Sequence, residues 1–405
     1  MHVLRASLAA SRLQASPRCF CHGDAMPRWF YYLLGMAVVA PAINLIWGLE
    51  QAPLAIFICS TLALIPLAAL IGRATEDLEY YTGPIAGGLL NATFGNAPEV
   101  IIGIFALQDH LLSVVQASLT GSIISNSLLV LGSALALGGW RWGRQYFSAR
   151  DAGQYSAMML LAVAGLLIPT TGSLLIHDQG RLRSMSVAIS IVLLLVYALY
   201  LTAHVFRVRS ERRGPKRRGP TAKLAPDPDS DENGEVAAVS GQLDPRVAGE
   251  RKPKLWLMLA LLLFATLGTA WNSELLVGTI KPVTGILGWS PVFVGLVIIP
   301  IVGNAAEHSS AVYIAVRDRV DLSMAIAAGS SIQVATFVAP VLVLASLFFT
   351  QPLLLVFQPL ELVILGASVL LFAIISLDGE SSWLAGVQLV SVYVIACIVF
   401  FLVPA

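Results

Sequence analysis

The sequence predicts an all-α integral membrane protein of about eleven transmembrane helices, one extra N-terminal helix followed by two inverted five-helix repeats. Three observations predict it: a composition suited to lipid, apolar runs of spanning length, and one polar motif that occurs twice in fixed register. Of the 405 residues, 57% are hydrophobic and only 12% charged, whereas a soluble domain carries about 25% charged residues. A helix needs about 20 apolar residues to cross the hydrocarbon, and runs of that length recur from Trp29 to the C-terminus. The segments of about ten residues with alternating polarity that mark a membrane barrel are absent from the sequence.

The length rule places spans near 29–49, 52–72, 84–107, 111–138, 152–172, 184–206, 255–279, 290–315, 322–349, 353–376 and 383–403. The chain then divides into a tail (1–28), an extra first helix (29–51), a first five-helix repeat (52–206), a polar insert (207–254) and a second repeat (255–405). With the N-terminus inside, 22 of the 25 Lys and Arg residues fall on one side, and only Arg181, Arg183 and Lys281 on the other. The positive-inside rule therefore makes the tail and the insert cytoplasmic. A plasma or inner membrane is expected rather than an organelle membrane.

The segments between spans carry few chemical signals. The insert runs from basic (Arg207 to Arg218) to acidic (Asp227 to Glu235). Its basic part can rest on anionic lipid. Its acidic part lacks the glycine and glutamate placement of an EF-hand loop, so a solvated linker is expected. The tail carries Arg5, Arg12, Arg18 and Arg28 with a single acid, Asp24. It reads either as a cytoplasmic tail, as an overlong start before Met26, or as a segment of transit-peptide composition. Cys19, Cys21 and His22 fall short of a zinc pattern, and the two remaining cysteines, Cys59 and Cys397, lie within apolar runs, so no disulfide framework is expected.

Gly95-Asn96-Ala97-Pro98-Glu99 in the third span is answered by Gly303-Asn304-Ala305-Ala306-Glu307 in the eighth, an offset of 208 residues. Gly121-Ser122 follows Glu99, and Gly329-Ser330 follows Glu307, by the same 22 residues. Five spans per unit is an odd number, so the copies enter the bilayer from opposite sides. That is the inverted-repeat plan of secondary transporters, with the binding site near the midplane where the repeats meet.

A carboxyl group within the bilayer is costly and marks an ion pathway or proton relay; Glu99 and Glu307 are such groups. Asn96 and Asn304 precede them by three residues and share their helical faces. Gly95, Pro98 and Gly303 weaken the helices locally, which frees carbonyls to line a cavity. Ser122, Ser125, Ser330 and Gln333, with Asn126 alongside, add oxygen from the fourth and ninth spans, while Ser127 and Ser331 read as packing positions. A hard divalent cation wants six to eight oxygen ligands, and this set supplies them. Removal from water disfavours the ionised form of a carboxyl, and a bound cation favours it, so protons and a divalent cation compete for the pair. His308 could tune the site or be a satisfied buried histidine. Glu76 and Glu274 could ring the two entrances or be interfacial charges. Glu361, in the tenth span, has no counterpart in the other half.

The residues Asn91 to Glu99 and Pro300 to His308 resemble the paired signature motifs of the calcium/proton exchanger (CAX-type) family within the calcium/cation antiporter superfamily, over about 54–403. The resemblance implies that Glu99 and Glu307 bind Ca2+ and exchange it for H+, that Asn96, Asn304, Ser122, Ser330 and Gln333 lie nearby, and that Glu76 and Glu274 help gate the entrances. Pro98 departs from the threonine common at that position. Ca2+ and H+ are the expected substrates and the bilayer the expected setting, with no cofactor and no nucleic acid. Three other readings stand beside this one. A Na+-coupled exchanger, or one carrying Mn2+ or Na+, is opposed by the asparagines beside Gly95 and Gly303. A channel would need a filter-like segment. An enzyme would need a nucleophile, a pair of metal-binding histidines or a phosphate loop beside the two glutamates.

Overall fold

The computed structural model describes residues 28–213 and 254–402. The Cys19–His22 cluster, the tail before Arg28 and the acidic run of the insert lie outside the described residues. The described chain is helical almost throughout, as lipid requires: with no water to pair backbone groups, each span must satisfy its own.

The helices, in order, are α1 (Arg28–Gln51), α2 (Pro53–Phe94), α3 (Ala97–Gln108), α4 (Leu112–Trp142), α5 (Ala149–Ser173), α6 (Gln179–Arg213), α7 (Leu255–Leu287), α8 (Pro291–Gly303), α9 (Ala305–Ala315), α10 (Val320–Ser346), α11 (Pro359–Ile375) and α12 (Trp383–Leu402). Eight are long and apolar enough to cross a membrane alone, α8 and α9 form a ninth candidate bent by 61°, and α3 and α11 are shorter apolar helices. Each of the eleven expected spans thus has an apolar helical element.

Two boundaries differ from expectation for local reasons. The polar run from Arg73 to Thr82, expected as a loop, continues α2 without interruption; it contains no glycine or proline, so nothing in it stops a helix. The tenth span, expected from 353, is helical only from Pro359, because proline disfavours helical backbone at the residue before it. Leu353, Leu355 and Phe357 are buried in an irregular segment. Side chains satisfy its backbone: the N–H groups of Leu353, Leu355 and Phe357 donate to Ser346, Ser186 and Thr170, and Gln116 Nε2 donates to the carbonyls of Leu354 and Val356.

The two halves repeat at the level of the backbone. Asn96 (φ −96°, ψ 13°) and Asn304 (φ −98°, ψ 11°) make the same break between consecutive helices. Pro98 follows the first break and Ala306 the second, so glycine and asparagine make the break and proline only begins the new helix, where it is tolerated. His110 and Asp318, again 208 apart, both adopt positive φ at the end of the motif helix. Wide π-helical turns interrupt α4 at Ser125–Val130 and α10 at Val334–Val338.

α4 and α10 are the most deeply buried spans, at 78% and 72% of their apolar stretches, against 6% for α1. That contrast marks α1 as a peripheral addition, packed on α2 and α7. Glycines let backbones meet in the centre, as in other membrane bundles. An added Cβ on Gly121 would lie 2.2 Å from the Leu296 carbonyl oxygen, and one on Gly295 2.7 Å from that of Val114, so α4 and α8 touch backbone to backbone. A short antiparallel pairing of β1 (Gln145–Tyr146) with β2 (Glu380–Ser381) joins the α4–α5 and α11–α12 connections. Replacing Gly121 with valine should force these helices apart and destabilise the protein by about 2 kcal/mol or more, read as a lower thermal unfolding midpoint in detergent.

Candidate functional site

The two asparagines that break the helices reach across to the opposite half. Asn96 Nδ2 donates to Gln333 Oε1 at 2.6 Å, and Asn304 Nδ2 donates to Ser122 Oγ at 3.4 Å and to the Pro300 carbonyl at 3.2 Å. A second link between halves runs from His308 Nε2 to Asn126 Oδ1 at 3.1 Å and from Asn126 Nδ2 to Ser330 Oγ at 3.0 Å. Ser330 in turn hydrogen-bonds the Glu307 carboxyl. Asn96, Asn304, Ser122, Ser125, Asn126 and Ser330 are all buried, which explains why they bond one another.

Glu99 and Glu307 occupy the first turns of α3 and α9, where the helix macrodipole favours negative charge. Glu99 is 7% exposed, and neither of its carboxyl oxygens, nor Oε2 of Glu307, has a hydrogen-bond partner among the described side chains. The two groups are close enough to repel when both are ionised. An added Cβ on Gly303 would lie 2.7 Å from Glu99 Oε1, so the carboxyl of one motif rests against the helix break of the other. Among the described residues no arginine or lysine pairs with either glutamate, and no three His, Cys, Asp or Glu side chains gather as a metal cluster. The arrangement is two acidic groups surrounded by neutral oxygen, able to take one divalent cation or protons.

The sequence-predicted residues divide into three groups. Asn96, Asn304, Ser122, Ser330, Gln333, His308 and the two glutamates come together. Ser125 is buried beside them but gives its hydroxyl to the Ser122 carbonyl, while Ser127 and Ser331 bond their own helices as packing residues do. Glu76 and Glu274 are exposed on α2 and α7, unlike the buried residues of the cluster. Two features lay beyond sequence reasoning. The contact of Gly303 with Glu99 joins positions 204 apart and follows from the fold alone, and the bond of Thr120 to Glu361 joins residues outside the repeated motif.

The profile of the sodium/calcium exchanger protein family matches residues 52–206 and 257–402. The chain is 41% identical over 375 residues to the Ca2+/H+ antiporter of Aphanothece halophytica, covering 91% of this chain and 96% of that protein. It is 44% identical over 357 residues to the Ca2+/H+ antiporter of Synechocystis sp., covering 86% and 91%. The crystal structure of the Ca2+/H+ antiporter protein YfkE superposes with a TM-score of 0.74 at 36% identity, covering 93% of this chain and all of that one.

The Gly303 contact yields a direct expectation. A Gly303→Ala variant should displace the Glu99 carboxyl and weaken divalent-cation binding about tenfold, a loss of about 1.4 kcal/mol, with an unchanged unfolding midpoint. Equilibrium binding of radioactive Ca2+ to purified protein measures it.

Proposed function

The chain belongs to the sodium/calcium exchanger protein family, and on that premise we propose that it exchanges Ca2+ for H+ across its membrane by alternating access. Glu99 and Glu307 alternately carry the cation and the protons. The observation that supports this reading most is the pair of glutamates held between the two motif breaks, with which no arginine or lysine among the described residues pairs.

The electrostatics set the exchange rule. Two ionised carboxylates in a dry site repel and are costly to keep from water. One divalent cation neutralises both, and so do two protons. Either filled state can therefore cross the occluded stage, whereas the empty, doubly charged site cannot do so cheaply. Asn96 and Asn304 hold the two breaks open by bonding across the repeat interface, and Ser122, Ser330 and Gln333 stand where neutral oxygen can replace the water that Ca2+ loses. Ser125 and His308 line the pathway beside them.

In this reading 52–206 and 255–405 are the inverted repeats, 29–51 is the added helix, and the tail and the 207–254 linker face the cytoplasm of a plasma or inner membrane. Glu76 and Glu274 stand at the two entrances, where exposed carboxylates concentrate cations before they reach the site. Proton coupling is preferred over Na+ coupling because relatives 41% and 44% identical to this chain are named Ca2+/H+ antiporters.

Inverted vesicles bearing the protein should take up Ca2+ when their interior is acidified, and lose internal protons as they do so. Uptake that requires Na+ and ignores the pH gradient would contradict proton exchange. Glu99→Gln or Glu307→Gln should lower the rate about 100-fold or more, equivalent to about 2.7 kcal/mol, while membrane insertion is unchanged. Because the ligands must lose their protons to bind metal, the apparent Ca2+ affinity should fall by up to about 100-fold per pH unit where both carboxyls are protonated. Titrating the Ca2+ dependence of uptake at several pH values measures that slope.

A further inference from the structure

Glu361, which the exchange site does not use, is 1% exposed. It lies in the first turn of α11, and its Oε2 is 3.1 Å from Thr120 Oγ1. Thr120 is fully buried on α4. Two residues further along the same helix, and so on a different face, stands Ser122, which accepts from Asn304 in the site. Glu361 therefore touches the back of the helix whose front touches the motif break.

Counting hydrogens defines the state of this carboxyl. The Thr120 hydroxyl has one hydrogen and three acceptors within reach: the carbonyls of Gln116 and Ala117, each at 3.2 Å, and Glu361 Oε2 at 3.1 Å. If Glu361 is ionised, that single shared hydrogen is all that the described side chains donate to it. If Glu361 is neutral, it donates to Thr120, Thr120 donates to its own helix, and every hydrogen is used.

The surrounding charges agree. The elements packed against α11 are α4 with its π-helical turn, α5 and α12. Arg141 lies 21 residues beyond Thr120 on α4, about 30 Å along the helix. Arg150, Asp151 and Tyr155 sit at the start of α5, whereas the end of α5 meets this region through Thr170. α12 offers the neutral Tyr393 and Cys397. The N-terminus of α11 favours negative charge only weakly by comparison with the cost of burying a full charge.

We propose that Glu361 is a positioning residue that remains a neutral acid throughout transport, donating to Thr120 and so fixing α4 with Ser122 aimed at the Asn304 break. Its transport readout rests on the exchange reading, but its protonation readout does not.

The experiment combines infrared spectroscopy with transport in proteoliposomes. In a Glu99→Gln/Glu307→Gln background, a protonated-carboxyl carbonyl band should persist from mildly acidic to alkaline pH and disappear on adding Glu361→Gln. In the wild-type background, Glu361→Gln keeps a donor for Thr120 and should retain both the rate and the pH profile of Ca2+ uptake. Glu361→Leu and Thr120→Val should each lower the rate three- to tenfold with the pH profile unmoved. Loss of the band at alkaline pH, or a shifted pH profile or altered proton count in Glu361→Gln, would overturn the proposal in favour of a titrating proton carrier. A wild-type rate in folded Glu361→Leu would overturn the positioning role. If Glu361→Leu fails to fold, Thr120→Val and the band decide. If the wild type itself moves no Ca2+, the exchange reading fails while the band still tests Glu361.

Discussion

The mutual repulsion of two closely placed carboxyl groups, one from each motif, is the constraint on which the rest of the site depends. Glu99 and Glu307 start the helices that follow the two breaks, close enough to repel, and among the described residues no arginine or lysine pairs with either. A soluble enzyme could surround such a pair with water. Here the pair sits among spans whose centre is apolar, so under the proposed exchange its charge is cancelled by the cation or protons that occupy the site. In the proposed exchange, the neutral oxygen around it, from Asn96, Asn304, Ser122, Ser330 and Gln333, would offer ligands without adding charge that would hold a cation too tightly to release.

The geometry that brings the carboxyls together is itself a product of repetition. Each break is made by glycine and asparagine, and each asparagine is held by the fourth or ninth span of the other half. Each amide donates to a side chain of the opposite half, and Asn304 also to the Pro300 carbonyl of its own half, so the two breaks are tied to one another. Backbone contact at Gly121 and Gly295 draws α4 and α8 close enough for these bonds to form. The asymmetries are equally informative. Asn126, His308 and Gln333 have no identical counterparts at the matching positions, Val334, Val100 and Ser125, so the shared site is lined differently toward its two faces.

Much of this was legible in the sequence because the offset of 208 carries chemistry as well as similarity. Polar residues in register within lipid-soluble helices identified both asparagines, both glutamates and the serines of the fourth and ninth spans before any fold was known. What escaped has specific causes. The continuity of α2 through Arg73 to Thr82 was masked because charge suggested a loop, although the run contains no helix breaker. The late start of α11 depends on Pro359, while burial of the segment before it depends on Ser346, Ser186, Thr170 and Gln116, which are distant in the chain. The π-helical turns and the approach of Gly303 to Glu99 carry no periodic signal. Glu361 stood out as an acid with no counterpart in the other half, but its partner Thr120 lies 241 residues away and outside the repeated motif.

In the proposed exchange one divalent cation and two protons compete for the same pair of carboxyls, and proton release on binding tests this competition most directly. Ca2+ binding to the purified protein, followed calorimetrically in buffers of differing ionisation enthalpy at a pH where the empty site is protonated, should release close to two protons per Ca2+. Glu99→Gln or Glu307→Gln should reduce that number to one or fewer. Tight Ca2+ binding with no proton release, or release unchanged in both variants, would contradict the account.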